Sequence, residues 1–130
     1  MNIKRKKKIV VCRASKIVSQ MTADKINNRL NTLGKKDDFE VVTVNGFPKL
    51  KELLQEEDIA LFVIGLGRNG EGFEALKNLS LYKKLRTPVW VLSKAQSQYL
   101  EEAKKFTKHI SPFDIKNGEF LAKLKELLEI

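Results

Sequence analysis

The chain has 130 residues, 42% of them hydrophobic, which is enough for one domain with a real core and too few for two of ordinary size. Its single cysteine, Cys12, and single histidine, His109, exclude an internal disulfide framework and a Cys/His zinc cluster, and no apolar run reaches the roughly 20 residues of a membrane span. Twenty-five basic residues against 16 acidic leave a net charge of +9, but five of those charges stand together at Lys4 to Lys8, so the remainder carries +4. The expectation is one cytoplasmic unit over 1–130 with a basic leader at 1–7, no signal peptide, no cofactor and no metal.

Along the chain, the apolar run KIVVC ending at Cys12 predicts a first strand, and the spacing of Met21, Ile26, Leu30 and Leu33 predicts a helix that Gly34 can end in a left-handed conformation. FEVVTV, Phe39 to Val44, reads as a second strand; Leu50, Leu53 and Leu54 follow at helical spacing, with Pro48 suited to a first turn. IALFVI, Ile59 to Ile64, is a third, and GLGRNGEG leads from it into a helix carrying Phe73, Leu76 and Leu79. PVWVL starts at Pro88, where a missing N–H costs little, and Tyr99, Ala103 and Phe106 share a helix face as packing residues. The weak run FTKHI, Phe106 to Ile110, is the fifth strand, and Phe120, Leu121, Leu124 and Leu128 mark the last helix. Several of these strands are apolar throughout, the pattern of a strand covered on both faces, so the fold class is α/β with a doubly wound parallel sheet.

In such a sheet, chemistry gathers beyond the carboxyl ends of the strands, here just after Val11, Val44, Ile64, Leu92 and Ile110. Gly65 to Gly70 spell GxGxxG, yet the turn follows the third strand where a dinucleotide fingerprint needs the first, and Trp90 to Ser93 offer no carboxylate for a ribose. The glycines therefore serve something else.

A resemblance covers about Lys8 to Leu128. EGFEALKNL at Glu71 to Leu79, VWVLSKA from Val89 and SPFDIKNGEFLAKLKELL from Ser111 resemble the central helix start, the fourth strand with its hydroxyl, and the closing turn and helix of response-regulator receiver domains. The resemblance implies a flavodoxin-like, five-stranded parallel sheet in the order 2-1-3-4-5. Receivers hold magnesium on an acidic pair after the first strand; the matching residues are Cys12 and Arg13. The phosphoacceptor position falls on Ile64 or, with one deletion, Gly65, and Ser111 replaces the family lysine, while Ser93 keeps the hydroxyl that would meet an acyl phosphate. Magnesium needs hard oxygen ligands, and phosphoryl transfer needs the ion to offset charge, so the implied pocket is degenerate. A guanidinium can attract an anion instead, which makes Arg13, Arg68 and Ser93 candidate anion contacts. Carboxylates brought in from Asp58 or Asp114 would overturn this reading.

The function expected is a phosphorylation-independent signalling adaptor, not an enzyme, that binds signalling proteins as a monomer or weak homodimer. The family's output surface, built from the fourth helix, fifth strand and fifth helix, places Gln96, Tyr99, Lys108 and Lys123 on the candidate face, with Lys108 near the usual switch aromatic. Two alternatives stand beside it. VVCRASKIVSQMTADKINNRL resembles the phosphocysteine loop of the B component of sugar phosphotransferase systems, with Cys12 as carrier and Ser19 at a comparable spacing; the plainer reading of Cys12 is a buried strand-end thiol. The basic leader also allows nucleic acid as a less favoured partner. Ser93 is expected to cap the fourth helix and His109 to be a partly buried, hydrogen-bonded ring.

Overall fold

Five strands form one parallel sheet, and several of them are apolar enough to be covered on both faces. A computed structural model describes residues 6–13, 15–44, 47–53, 58–66, 71–80, 86–93 and 99–130. The strands are β1 (Lys7–Cys12), β2 (Phe39–Val44), β3 (Ile59–Gly65), β4 (Val89–Ser93) and β5 (Ile110–Pro112), alternating with helices α1 (Lys16–Thr32), α2 (Phe47–Leu53), α3 (Glu71–Ser80), α4 (Leu100–Ala103) and α5 (Asn117–Leu128). The spatial order is β2-β1-β3-β4-β5, as expected. Lys7, placed in the leader by the sequence, is instead the first residue of β1, opposite Phe39.

Side chains on alternate strand positions leave by opposite faces. Ile9, Val11, Leu61, Val63, Trp90 and Leu92 meet Ile26 and Leu30 of α1 and Phe120 and Leu124 of α5. Val10, Cys12, Phe62 and Ile64 meet Leu50 of α2 and Ala75 and Leu79 of α3. A smaller cluster joins Val91 to Phe73, Leu76 and Ala103. Trp90 is fully buried; its Nε1 donates to Ser111 Oγ at 2.9 Å, and its ring lies 4.9 Å from that of Phe120. Burying a large side chain of this kind contributes about 1.5–3 kcal/mol, provided its polar end finds a partner.

Helix α1 starts at Ser15, whose extended backbone and side chain, accepting from Val18 N–H at 3.1 Å, cap it. It ends as Gly34 (φ 70) donates to Asn31 O and Lys35 N–H to Leu30 O, a pairing that satisfies the last carbonyls. Its buried stripe is Ser19, Thr22, Ala23, Ile26 and Leu30, so Met21, expected on that stripe, is instead 65% exposed. Two hydroxyls take the inward positions nearest the carboxyl edge of the sheet.

The fifth strand also departs from expectation. Pairing with β4 begins only at Ile110, opposite Val91. Thr107 Oγ1 donates to Val89 O at 2.7 Å and accepts from His109 N–H at 3.1 Å, holding residues 107–109 in a turn ahead of the strand. Helix α4 is correspondingly confined to Leu100–Ala103 among the described residues.

Candidate functional site

The carboxyl ends of β1, β3 and β4 lie side by side, with Cys12 opposite Ile64 and Gly65 opposite Leu92. Alternation sends Cys12 and Ile64 away from that edge, into the cluster under α2 and α3, where Cys12 is 4% exposed. Arg13, one residue past the strand, turns across the edge instead. Its N–H donates to Ser19 Oγ at 3.1 Å and its Nη1 to Thr22 Oγ1 at 3.0 Å, while Thr22 Oγ1 donates to Val18 O. The guanidinium carbon stands 4.4 Å from the centre of the Phe113 ring, a cation–π arrangement.

The path of this side chain explains the glycine ending β3. A Cβ on Gly65 would come within 2.6 Å of Arg13 Nε and 3.0 Å of its Cγ, so the arginine lies on the space a side chain there would need. A Cβ on Gly72 would run into the carbonyl of Gly65, so the start of α3 crosses the end of β3 at a distance only glycine permits. Two glycines of the GLGRNGEG turn thus provide close approach, one to a cation and one to backbone.

Ser93, 2% exposed, ends β4, and its carbonyl accepts from Phe113 N–H at 3.2 Å. Phe113 thereby joins the end of β4 to the arginine above its ring. Ser93 stands six residues before Tyr99, the N-cap position of α4, and the residues between them lie outside the described ones. Ser111 is turned away, its hydroxyl engaged by Trp90. Of the six expected pocket residues, Arg13, Gly65 and Ser93 share the edge, whereas Cys12, Ile64 and Ser111 serve the core. Arg68 and Gln96 lie outside the described residues.

Burial lowers the Arg13 pKa from its usual value, and among the described residues no carboxylate pairs with the guanidinium. Asp58 precedes β3, at the opposite edge of the sheet, and Asp114 is exposed. Among the described residues no group of three His, Cys, Asp or Glu side chains is placed to hold a metal ion. A thiol facing the core and a guanidinium lying over Gly65 do not form a magnesium site, which needs hard oxygen donors.

On the candidate output face, Tyr99 stacks on Phe73 at 5.2 Å and Phe106 is tilted against the same ring at 6.0 Å, the edge packing expected of them. Lys108 is exposed. Lys123 Nζ donates to His109 Nδ1 at 2.9 Å and pairs with Glu126 at 2.8 Å. Partial burial, then Lys123 and Lys108, push the His109 pKa below its usual value, with Glu126 opposing; Glu126 itself is lowered, chiefly by its hydrogen bond from Lys123. Thr22 and Phe113 were missed as partners of the site. Ser19 and Thr22 do carry a signal, two hydroxyls in phase with Ala23, Ile26 and Leu30.

No protein-family model and no curated protein sequence matches the chain. Solved structures do. A response regulator from Thermotoga maritima superimposes with a TM-score of 0.70 at 19% identity, covering 97% of this chain and all of its own. The signal receiver domain of a DNA-binding response regulator from Colwellia psychrerythraea gives 0.75 at 12% identity over 95% of this chain and 99% of that one. A structure of a histidine kinase in complex with its response regulator gives 0.71 at 14% identity, covering 94% and 98%. At these identities the likeness carries the fold. Strand order, helix placement and near-complete overlap agree, and the chain has a flavodoxin-like α/β fold similar to that of receiver domains.

Proposed function

We propose that this receiver-like chain is a signalling module that works through protein contacts and is not switched by phosphorylation at the carboxyl edge of its sheet. The observation that carries the reading is Arg13 lying across Gly65, with no room for an acceptor side chain beneath it. Phosphoryl transfer to a receiver would need a carboxylate at that position and a divalent ion to offset the charge on the transferring group. Arg13 supplies a fixed positive charge in place of the ion's ligands. With no acceptor to modify, the chain presents one surface state, and partners select it by affinity alone. The face from α4 through β5 to α5, with Tyr99, Lys108 and Lys123, is the surface proposed for output. The kinase-bound neighbour makes a signalling protein the partner class of choice.

Intact-mass measurement after incubation with acetyl phosphate and magnesium tests this directly. The mass stays unchanged; a phosphoryl adduct on any residue refutes the proposal.

A second reading, an anion held at the same edge, is favoured by the half-buried Arg13 cation that no described carboxylate neutralises. Calorimetric titration with inorganic phosphate decides it: saturable heat lost in Arg13→Gln supports the anion, and silence at millimolar ligand ends it. The phosphocysteine alternative is disfavoured by the 4% exposure of Cys12, whose sulfur a donor could reach only by opening the core.

A further inference from the structure

The opposite edge of the sheet, where the strands begin, carries a feature that the adaptor reading does not use. A hollow of about 630 Å³ opens between the starts of β1, β3 and β4 and the end of α5, floored by Pro88, Leu127 and Leu128. A second, of about 610 Å³, lies between α3 and the turn before β5, where Phe106 is 39% exposed beside the buried Leu76 and Leu79. Both are bounded by Thr87, Pro88, Lys108 and His109, so they abut along the starts of β4 and β5 as one trough.

Its walls are mainly cationic. Lys7, Arg86, Lys105 and Lys108 are exposed along it, and among the described residues none of the four is ion-paired. Against them stand Glu126, already paired with Lys123, and Glu129. Just ahead of Lys7 the sequence adds Lys4, Arg5 and Lys6. An apolar floor between basic walls has a definite complement. A phosphodiester backbone would use the cations and leave the floor wet, and it would meet the two glutamates on one wall. A peptide carrying both acidic and apolar side chains satisfies the walls and the floor together.

We propose that this trough, at the amino-terminal edge of the sheet, docks an acidic, leucine-type amphipathic segment of a partner protein. It adjoins the proposed output face at Lys108 and along the end of α5, where Glu126 is paired with Lys123, and it does not depend on whether Arg13 blocks phosphorylation.

Amide NMR titration of the full chain tests it, with a short capped peptide of repeating Glu-Glu-Leu-Leu as probe and polyglutamate and oligothymidylate of matching length as comparison arms. The expected result is saturable shifts at Lys7, Arg86, Lys108 and Leu128, with polyglutamate roughly tenfold weaker because the floor goes unfilled. The double variant Arg86→Glu/Lys108→Glu, at two exposed positions that leave the fold intact, weakens the peptide by roughly tenfold or more. Equal affinity for polyglutamate, equal or tighter oligothymidylate binding at the same amides, shifts confined to Tyr99 and Lys123, or no saturable binding each overturns the proposal. None of these results bears on the mass measurement that tests phosphorylation, so the two readings fail separately.

Discussion

Gly65→Ala perturbs the contact on which the site turns. Gly65 does not need a left-handed backbone, and only the arginine stands where the new methyl would go, 2.6 Å from its Nε. Arg13 must therefore swing off the edge, giving up its 3.0 Å bond to Thr22 and its place over Phe113. The bond from a charged donor is worth about 1.5 kcal/mol and the partly exposed cation–π contact about 0.5–1 kcal/mol. Replacing glycine returns about 0.5 kcal/mol through the unfolded chain, so the net loss is about 1.5–2 kcal/mol. In an Arg13→Ala background the obstacle is gone, and the same substitution stabilises by about 0.5 kcal/mol, a coupling of about 2 kcal/mol. Urea denaturation of the four proteins reads this out as a midpoint shift of about 1 M in one background and a small shift of opposite sign in the other. Equal effects in both backgrounds would mean that the arginine does not lie on the glycine, and the account of the site would fail with it.

Other expectations concern the residues around the edge and the output face. Ser111→Ala leaves Trp90 Nε1 buried without its partner and costs about 1–3 kcal/mol, seen as a lower urea midpoint with the tryptophan signal as probe; an unchanged midpoint refutes it. Cys12 reacts with a thiol reagent only as the fold opens, so its rate climbs with urea; fast labelling of the native protein contradicts its place in the core. His109 holds its proton less tightly in the folded chain than its ordinary 6.5, so as pH falls below 6.5 the unfolded chain protonates first and stability drops until the folded ring is also charged. Glu126, lowered from 4.5, adds a separate loss as pH falls below that value. His109→Gln should erase the upper of the two windows, and Lys123→Met should raise the His109 titration midpoint followed by NMR; a midpoint that stays or falls shows that Lys123 does not act on the ring.

Parallel strands are legible in sequence because burial on both faces writes an unbroken apolar run, as in Ile59 to Ile64. The helix end at Gly34 is legible for a local reason, the need for a positive φ. The fifth strand was not, because its start is chosen by Thr107 bonding to Val89, a contact 18 residues distant in the chain. The family pattern places Cys12 and Ser111 at a pocket, yet the pleat directs one to the α2–α3 side and Trp90 takes the other. Residue identity tells which groups are absent from the edge among the described residues. It did not tell where Arg13 would lie, since that depends on Thr22 and Phe113 arriving from two different elements.

A positive charge anchored by its own backbone has no dissociation equilibrium. Neither chelators nor swings in cellular magnesium can remove Arg13 from Gly65. If the adaptor reading holds, the molecule transmits through its abundance and through competition among its binders, and its response time is that of synthesis and turnover.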